Sequence, residues 1–536
     1  MYAIRMHLIS APVFIKALRN EVTKGRDGMR LWRKTINLAP GVLAGAVVLL
    51  VCFVFPAEVE AVKVDPDKVS WGSPKAKRCK GCHRHETPGL YYEWRQGAHG
   101  KAGVNCYDCH RAEKGDPDAI RHKKSFDIAI IVTPKDCGRC HEHEANQFRN
   151  SHHARAVAIL DGLENHLGKV VVGEAAVNSG CVVCHGSTVK MKDGKLDPAT
   201  WPNTGIARVN LDGSIGSCSA CHTRHRFSKA QARQPVTCGR CHSGDHQPQL
   251  ESYNSSKHGM LFAANREKMN LESDRWIAGK DYYDAPTCTT CHMGEVDIAS
   301  GRLEVTHDVG ERLSWNLRGE VSEKYALVVY ENGARENWPE DGEEDVPEEG
   351  DEVERNGKTL TVEQVLDVEA RREKMTLVCM SCHSEKWAQA FYTQLDRLVE
   401  LYNDKFAKPG LAIMNELKES GRLTRQDFDE RLEWIWYELW RKAGRSARSG
   451  WAMTASAEYT WWQGMYEVGK RFYSRFLPEV KKVAGNELYQ ELLDKHVKDA
   501  EGQEWFFEAR KILASLNKAP PKKNDAQKQQ QGTGQQ

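Results

Sequence analysis

Cys181-Val182-Val183-Cys184-His185 is a CxxCH pentapeptide, and this pattern occurs eight times in the chain of 536 residues. It accounts for sixteen of the seventeen cysteines. The eight copies, each written as two cysteines and the histidine that follows, are Cys79/Cys82/His83, Cys106/Cys109/His110, Cys137/Cys140/His141, Cys181/Cys184/His185, Cys218/Cys221/His222, Cys238/Cys241/His242, Cys288/Cys291/His292 and Cys379/Cys382/His383. The interpretation of the sequence rests first on this repeated spacing.

The CxxCH pattern is typical of covalent haem attachment. Its two thiols reach the two vinyl groups of one porphyrin, and the next imidazole falls under the iron. A zinc site or a redox dithiol is the alternative for one isolated CxxC pair. Eight copies, each followed by histidine, argue strongly against that alternative. The sequence therefore predicts eight c-type haems, with the motif histidines as proximal iron ligands.

The composition is polar for a large protein, with 40% hydrophobic and 28% charged residues. Haems are therefore expected to fill space that aliphatic side chains fill elsewhere. The chain has 76 basic and 74 acidic residues, and its net charge of +2 creates no global field that attracts a polyanion. We expect no nucleic-acid partner.

The N-terminal segment has the pattern of an export signal. A basic region precedes an apolar run at 42–55 and a small-residue end at Ala61. We predict a signal peptide over 1–61, with Met29 as an alternative start. An uncleaved anchor is the rival interpretation, but the run is shorter than the roughly 20 apolar residues that span a membrane. The mature protein is expected to be exported and to have no stable membrane insertion.

The rest of the chain is predicted to be mainly α, and its composition divides it into segments. We predict a haem-organised region at 62–383 with few regular elements, where short helices carry the motifs and an acidic stretch at 336–356 forms a solvated loop. Long helices for subunit contacts follow at 384–516, and 517–536 is predicted to be disordered. The long helices are expected at 384–407, 424–443, 455–484 and 486–516, the second of them after a capping-box-like Thr424.

Histidines outside the motifs are candidate distal ligands. An iron that only transfers electrons needs a sixth ligand, whereas an iron that binds a substrate needs an open position. Eleven such histidines lie in the haem-bearing part of the chain. Seven are predicted as distal ligands: His99, His122, His152, His153, His225, His258 and His307. His85, His143 and His166 are reserves, and adjacent His152 and His153 cannot easily serve one haem.

The motif series occurs together with four further segments: Glu93-Trp94-Arg95-Gln96-Gly97-Ala98-His99-Gly100, Thr306-His307-Asp308, Ser314-Trp315-Asn316-Leu317-Arg318 and Tyr459-Thr460-Trp461-Trp462. With them, the chain resembles the octahaem hydroxylamine oxidoreductases over about residues 70–510. The resemblance implies that the fourth motif carries the catalytic haem and that its iron has an open distal face. It also implies that Asp245-His246, just after the sixth motif, lies over this iron.

In that family, a tyrosine from the C-terminal helices of a neighbouring subunit bonds covalently to the catalytic porphyrin in a trimer. The resemblance therefore implies a homotrimer and a haem crosslinked to tyrosine at the fourth motif. Tyr459 is the favoured residue and Tyr466 the alternative. These two and Tyr473 are spaced by seven, and such aromatic stripes more often pack than react. His246 has a competing interpretation as another distal ligand.

The function implied is oxidation of hydroxylamine to nitric oxide or nitrite, with electrons passed to a small cytochrome c. The Asp245-His246 pair suits this reaction because a carboxylate can orient an imidazole that accepts the released protons. Hydrazine oxidation to dinitrogen, reduction of nitrite or hydroxylamine to ammonia, and electron transfer without a substrate remain as alternatives. The expected location is the periplasm, or the anammoxosome lumen of an anaerobic ammonium oxidiser.

Overall fold

Short helices linked by irregular segments make up the motif-bearing part of the computed structural model, which describes residues 74–123, 126–157, 166–339, 342, 344–355 and 357–518. The helices in this part are Pro74–Glu86, Pro88–Gln96, Ala98–Lys101, Cys106–His110, Pro134–Cys137, Glu142–Asn150, His166–Gly173, Glu174–Ser179, Cys181–His185, Cys218–Ala220, Lys229–Ala232, Pro235–Gly239, Gln249–Ser255, Lys257–Asn265, Arg266–Lys268 and Cys288–Met293. Three two-stranded hairpins lie between them: Ala119–His122 with Phe126–Ala129, Met191–Lys192 with Lys195–Leu196, and Val296–Ile298 with Gly301–Leu303.

Capping residues explain why helices form at the motifs. The Asn105 side chain accepts a hydrogen bond from the Tyr107 amide at 3.0 Å, and Asp108 accepts one from the Asn105 amide at 2.7 Å. This reciprocal arrangement satisfies amides that the first helical turn leaves unpaired. Thr133 and Thr287 make the same kind of capping box before the third and seventh motifs. The prediction that short helices carry the motifs holds for the second, fourth and seventh, which lie on Cys106–His110, Cys181–His185 and Cys288–Met293. The first motif lies on the longer helix Pro74–Glu86, and the other four lie only partly on helices.

An antiparallel sheet of five strands is formed by the part of the sequence between the seventh and eighth motifs. Its central strand is rich in β-branched and aromatic residues, which favour strands. The strands are Trp315–Asn316, Glu323–Tyr330, Arg335–Pro339, Glu352–Arg355 and Lys358–Leu366. The predicted acidic loop at 336–356 is therefore wrong near both ends, because residues 336–339 and 352–355 pair in this sheet.

The C-terminal part consists of helices, as predicted, but several boundaries differ. The predicted helix over 424–443 begins only at Arg431, because Glu430 and Glu433 form the capping box and Thr424 bonds to Asp429 instead. The helices are Val368–Met380, Glu385–Tyr402, Asn403–Ala407, Lys408–Glu419, Arg431–Glu438, Leu439–Gly444, Arg445–Ala452, Glu458–Tyr466, Glu467–Arg471, Phe472–Phe476, Leu477–Ala484, Asn486–His496 and Glu504–Lys518.

Buried aliphatic and aromatic side chains are concentrated in these C-terminal helices. The largest hydrophobic cluster runs from Tyr402 to Val497, and a second cluster lies in the sheet. Within the described residues, the motif-bearing part has one small cluster, around Met269 and Trp276. This distribution agrees with the expectation that haems fill the interior there.

The mainly α fold class is confirmed. No helix among the described residues has the length and apolarity needed to cross a membrane. The predicted leader at 1–61 lies outside the described residues, as does the predicted tail beyond Lys518.

Candidate functional site

The sixteen motif thiols, which the sequence treats as equivalent haem-attachment points, differ in exposure. Cys82, Cys140 and Cys382 are exposed, whereas the other thirteen motif cysteines are half-buried. Cys82 lies on the helix Pro74–Glu86 beside residues that are exposed as well, and Cys140 lies between two short helices. Haem attachment at these cysteines is a prediction from the spacing of the motifs.

Hydrogen bonds orient several motif histidines for metal binding. The Nδ1 atoms of His110, His185 and His292 lie 2.7, 3.0 and 3.1 Å from backbone carbonyl oxygens. A carbonyl can only accept, so each Nδ1 carries the proton and Nε2 keeps its lone pair. Such bonds fix the ring orientation of metal-binding histidines in general. These rings are therefore prepared to bind iron through Nε2.

Five motif histidines face a second imidazole. Iron bonded to two imidazole nitrogens at about 2 Å each holds the two ring centroids roughly 6 Å apart. The observed centroid distances are 6.1 Å for His83 with His122, 6.5 Å for His110 with His225, 6.1 Å for His141 with His99, 6.2 Å for His242 with His153 and 6.0 Å for His383 with His258. The donor set and its spacing fit haem iron at these five positions.

Two other predicted distal ligands are placed differently. His152 Nε2 lies 2.9 Å from Asn337 Nδ2, and this ring lines a small cavity together with Arg155 and Asp308. His307 is half-buried, and its Nδ1 atom is buried without a hydrogen-bond partner among the described residues. Burial, followed by the charge of His307, lowers the pKa of His222 to about 4. Among the reserves, His85 and His143 are exposed and His166 is half-buried.

The fourth motif differs from those five. Among the described residues, no imidazole ring faces His185 at the spacing seen in the pairs, and the same holds for His222 and His292. Gly186, with φ of +86°, follows the motif, and a Cβ there would lie 2.5 Å from the Arg208 amide nitrogen. Only glycine permits this close passage of the chain after His185.

The sixth motif lies directly against the fourth. The Cys184 thiol lies 4.0 Å from the Arg240 carbonyl oxygen, and the nearby Cys241 thiol lowers the pKa of Cys184. Asp245 and His246 follow Cys241 closely in the chain, and both are exposed. The predicted pair thus belongs to a segment that starts beside the fourth motif.

Side chains from three helices hold this segment: Gln249–Ser255, Leu439–Gly444 and Arg445–Ala452. Glu251 accepts a hydrogen bond from the Gly244 amide at 3.0 Å, and Lys442 forms an ion pair with Asp245. The His246 carbonyl oxygen accepts from Arg441 Nη1 at 3.3 Å and from Arg445 Nη1 at 3.1 Å. Sequence interpretation missed these residues. The two arginines one helical turn apart among tryptophans were the available signal, because buried arginines usually bind a specific acceptor.

The two candidate tyrosines have different surroundings. Tyr459 is half-buried, and its pKa is raised by burial and then by the carboxylates of Glu251, Glu458 and Asp245. Tyr459 therefore lies near Asp245 of its own chain. Tyr466 is 42% exposed and contacts the exposed Trp462 ring at 5.2 Å.

Comparisons with known proteins agree with a multihaem chain. Residues 102–341 match the family described as "Seven times multi-haem cytochrome CxxCH". A curated relative from Kuenenia stuttgartiensis, "Probable nitrite reductase-hydroxylamine oxidoreductase fusion protein", is 26% identical over 362 residues. The match covers 60% of this chain and 35% of that relative, so the chain spans about a third of its length.

Two solved structures share the fold. One, "Hypothetical multiheme protein", aligns with a TM-score of 0.64 at 24% identity, over 81% of this chain and 99% of that one. The other is the "Kuenenia stuttgartiensis reducing HAO-like protein complex Kustc0457/Kustc0458", with a TM-score of 0.53 at 18% identity, over 76% and 85% of the two chains. With the CxxCH series and the facing imidazoles, these matches support a multihaem c-type cytochrome that is similar to hydroxylamine oxidoreductase-like proteins.

Proposed function

We propose that this cytochrome oxidises hydroxylamine, to nitric oxide or nitrite, at a haem bound to the fourth motif. The observation that carries the proposal is the Asp245-His246 segment beginning beside Cys184, next to a motif histidine that faces no second imidazole among the described residues. An iron with one protein ligand can accept a substrate, whereas an iron with two cannot.

The remaining motifs carry seven haems for electron transfer in this proposal. A bound haem supplies a redox-active iron and, at the fourth motif, a position for the nitrogen of the substrate. The distal ligands proposed for electron-transfer haems are His99, His122, His152, His153, His225, His258 and His307. The five that face motif histidines have the more direct support.

The Asp245-His246 pair handles protons in this proposal. Oxidation of hydroxylamine releases protons together with electrons, so a base must lie near the substrate. The His246 imidazole accepts the proton, and Asp245 stabilises the charged ring. Lys442, which forms an ion pair with Asp245, holds the carboxylate in place beside the imidazole in this proposal.

Two further parts of the proposal concern assembly and partners. We propose that Tyr459, or alternatively Tyr466, crosslinks to the fourth haem in a homotrimer, and that a small cytochrome c accepts the electrons. The periplasm or the anammoxosome lumen is the proposed location. Hydrazine as substrate would use the same residues.

Reduction of nitrite or hydroxylamine to ammonia is the second candidate. It uses the same haem at the fourth motif and requires no crosslink from Tyr459 or Tyr466. Without the crosslink, the fourth haem would not be tuned toward oxidation. The oxidative and reductive proposals therefore differ in whether one tyrosine is crosslinked to the fourth haem.

Turnover of the purified holoprotein with hydroxylamine and hydrazine in parallel, with the product gas identified, tests the substrate. Optical spectra of the reduced Tyr459→Phe and Tyr466→Phe variants test the crosslink. An unchanged spectrum in both variants would exclude the oxidative proposal in favour of reduction. If neither cyanide nor carbon monoxide binds any haem, the protein is an electron carrier without a substrate.

A further inference from the structure

The segment Gly244–His246 is held at three points. The Gly244 amide donates to Glu251, the Asp245 carboxylate pairs with Lys442, and the His246 carbonyl accepts from Arg441 and Arg445. Three of these four holding residues come from one continuous helical stretch over 439–452. The C-terminal helices thus reach directly into the candidate active site.

The two arginines are buried and fixed in place. Arg441 and Arg445 are only 5% and 6% exposed, and both guanidinium groups lie over Trp440, at 5.9 and 5.6 Å from its ring centroid. Arg445 also donates through Nε to the Arg318 carbonyl oxygen at 3.1 Å. Burying a guanidinium is costly unless its donors are satisfied, so both side chains are confined to these acceptors.

A carbonyl oxygen that accepts two hydrogen bonds restrains the backbone of the residue that carries it. Hydrogen bonds from charged donors are stronger than those from neutral donors, so the two guanidinium groups favour one backbone conformation of this segment. The His246 side chain leaves from that backbone, so the two guanidinium groups influence its ring direction. The ring itself lies 6.1 Å from the Tyr437 ring, whose hydroxyl accepts a hydrogen bond from Arg441 Nε at 3.4 Å. Misplacement of a catalytic group by 1 Å can cost about 10²-fold in rate.

We propose that Arg441 and Arg445 are positioning residues that set the orientation of the His246 imidazole. The inference rests on the proposed function of the Asp245-His246 pair and assigns the C-terminal helices a role in chemistry besides packing. Neither arginine contacts the substrate in this proposal.

Arg448 provides a matched control. It is fully buried one turn after Arg445 and donates to the backbone of the same neighbouring segment, at Gly319, and to the Ser322 hydroxyl. Its other guanidinium hydrogen bonds go to carbonyl oxygens of its own helical stretch, 439–452. A purely structural role of buried arginines would make all three positions behave alike.

The test compares Arg441→Met, Arg441→Lys, Arg445→Met, Arg445→Lys and Arg448→Lys holoproteins, using hydroxylamine turnover and cyanide affinity. The methionine variants at 441 and 445 should lose about 10²-fold in kcat with little change in KM. The lysine variants should recover part of the loss. Cyanide affinity should shift in the methionine variants, because the distal surroundings of the open iron change. Arg448→Lys should lower Tm and leave kcat and cyanide affinity unchanged.

Equal kcat losses at 441, 445 and 448, or no loss at 441 and 445, would overturn the positioning role. Wild-type protein that binds cyanide but turns over no hydroxylamine refutes the proposed function alone, and the cyanide affinities then decide the positioning role. Wild-type protein that binds no cyanide overturns both.

Discussion

The helix that carries Tyr459 packs so closely on its neighbour that one added methyl group should disturb the site. At Gly464, a Cβ would lie 2.7 Å from the Ala447 Cα and 2.6 Å from the Tyr459 carbonyl oxygen. Carbon atoms pack at about 3.5–4.0 Å, so Gly464→Ala must separate the helices Glu458–Tyr466 and Arg445–Ala452 by roughly 1 Å. Overpacking of this kind costs about 1–3 kcal/mol of unfolding free energy.

The displacement should also reach Arg445 and Tyr459, which these two helices carry, so turnover should fall by up to about 10²-fold. Gly469→Ala is the matched control, because its added Cβ would meet only Phe406, at 3.9 Å. That variant should gain about 0.5–1 kcal/mol from helix propensity and keep its activity. Denaturant unfolding followed by circular dichroism, with turnover on the same samples, measures both effects. If Gly464→Ala is as stable and active as Gly469→Ala, the close packing is not what holds the site.

Three further predictions concern stability. Burial raises the pKa of Glu320, so its ionisation lowers the free energy of unfolding as the pH rises above the pKa that this residue has in the unfolded chain. The Glu320→Gln variant keeps an acceptor for the Trp436 indole, so it should raise Tm at pH 7 and lose this advantage at pH 4. Arg371→Met leaves buried carbonyls such as that of Gly310 without donors, and should cost about 2–5 kcal/mol in denaturant unfolding. Phe472→Ala empties a fully buried position and should cost about 3–5 kcal/mol, whereas truncation of exposed Trp461 should cost far less.

The sequence was most informative where chemistry fixes spacing. Two thiols and an imidazole must occupy nearby positions to hold one haem, so the motifs are recognisable without a structure. Distal ligands obey no such local rule. His153 faces His242 across the fold while its neighbour His152 hydrogen-bonds to Asn337, and no sequence pattern separates two adjacent histidines.

Local patterns also competed with one another in the C-terminal half. Thr424 resembles a helix cap, yet Asp429 engages its hydroxyl and the helix begins after Glu430. The strand Glu323–Tyr330 lies next to an acidic segment whose composition favoured a loop. Arg441 is basic and would ordinarily be expected in solvent, but the tertiary structure buries it.

The facing imidazoles also determine how the chain is connected. Each pair joins residues far apart in sequence, and the loop from His99 to His141 starts inside the loop from His83 to His122 but ends outside it. Iron bound between the rings would close each loop, and closing a loop of this size removes about 3–5 kcal/mol of entropy from the unfolded chain. Because the loops interlock, closing one loop reduces the number of conformations in which the ends of the next loop are far apart. The haems would then act as cross-links that form one after another during folding. Omission of one haem should make closure of the overlapping loops less favourable.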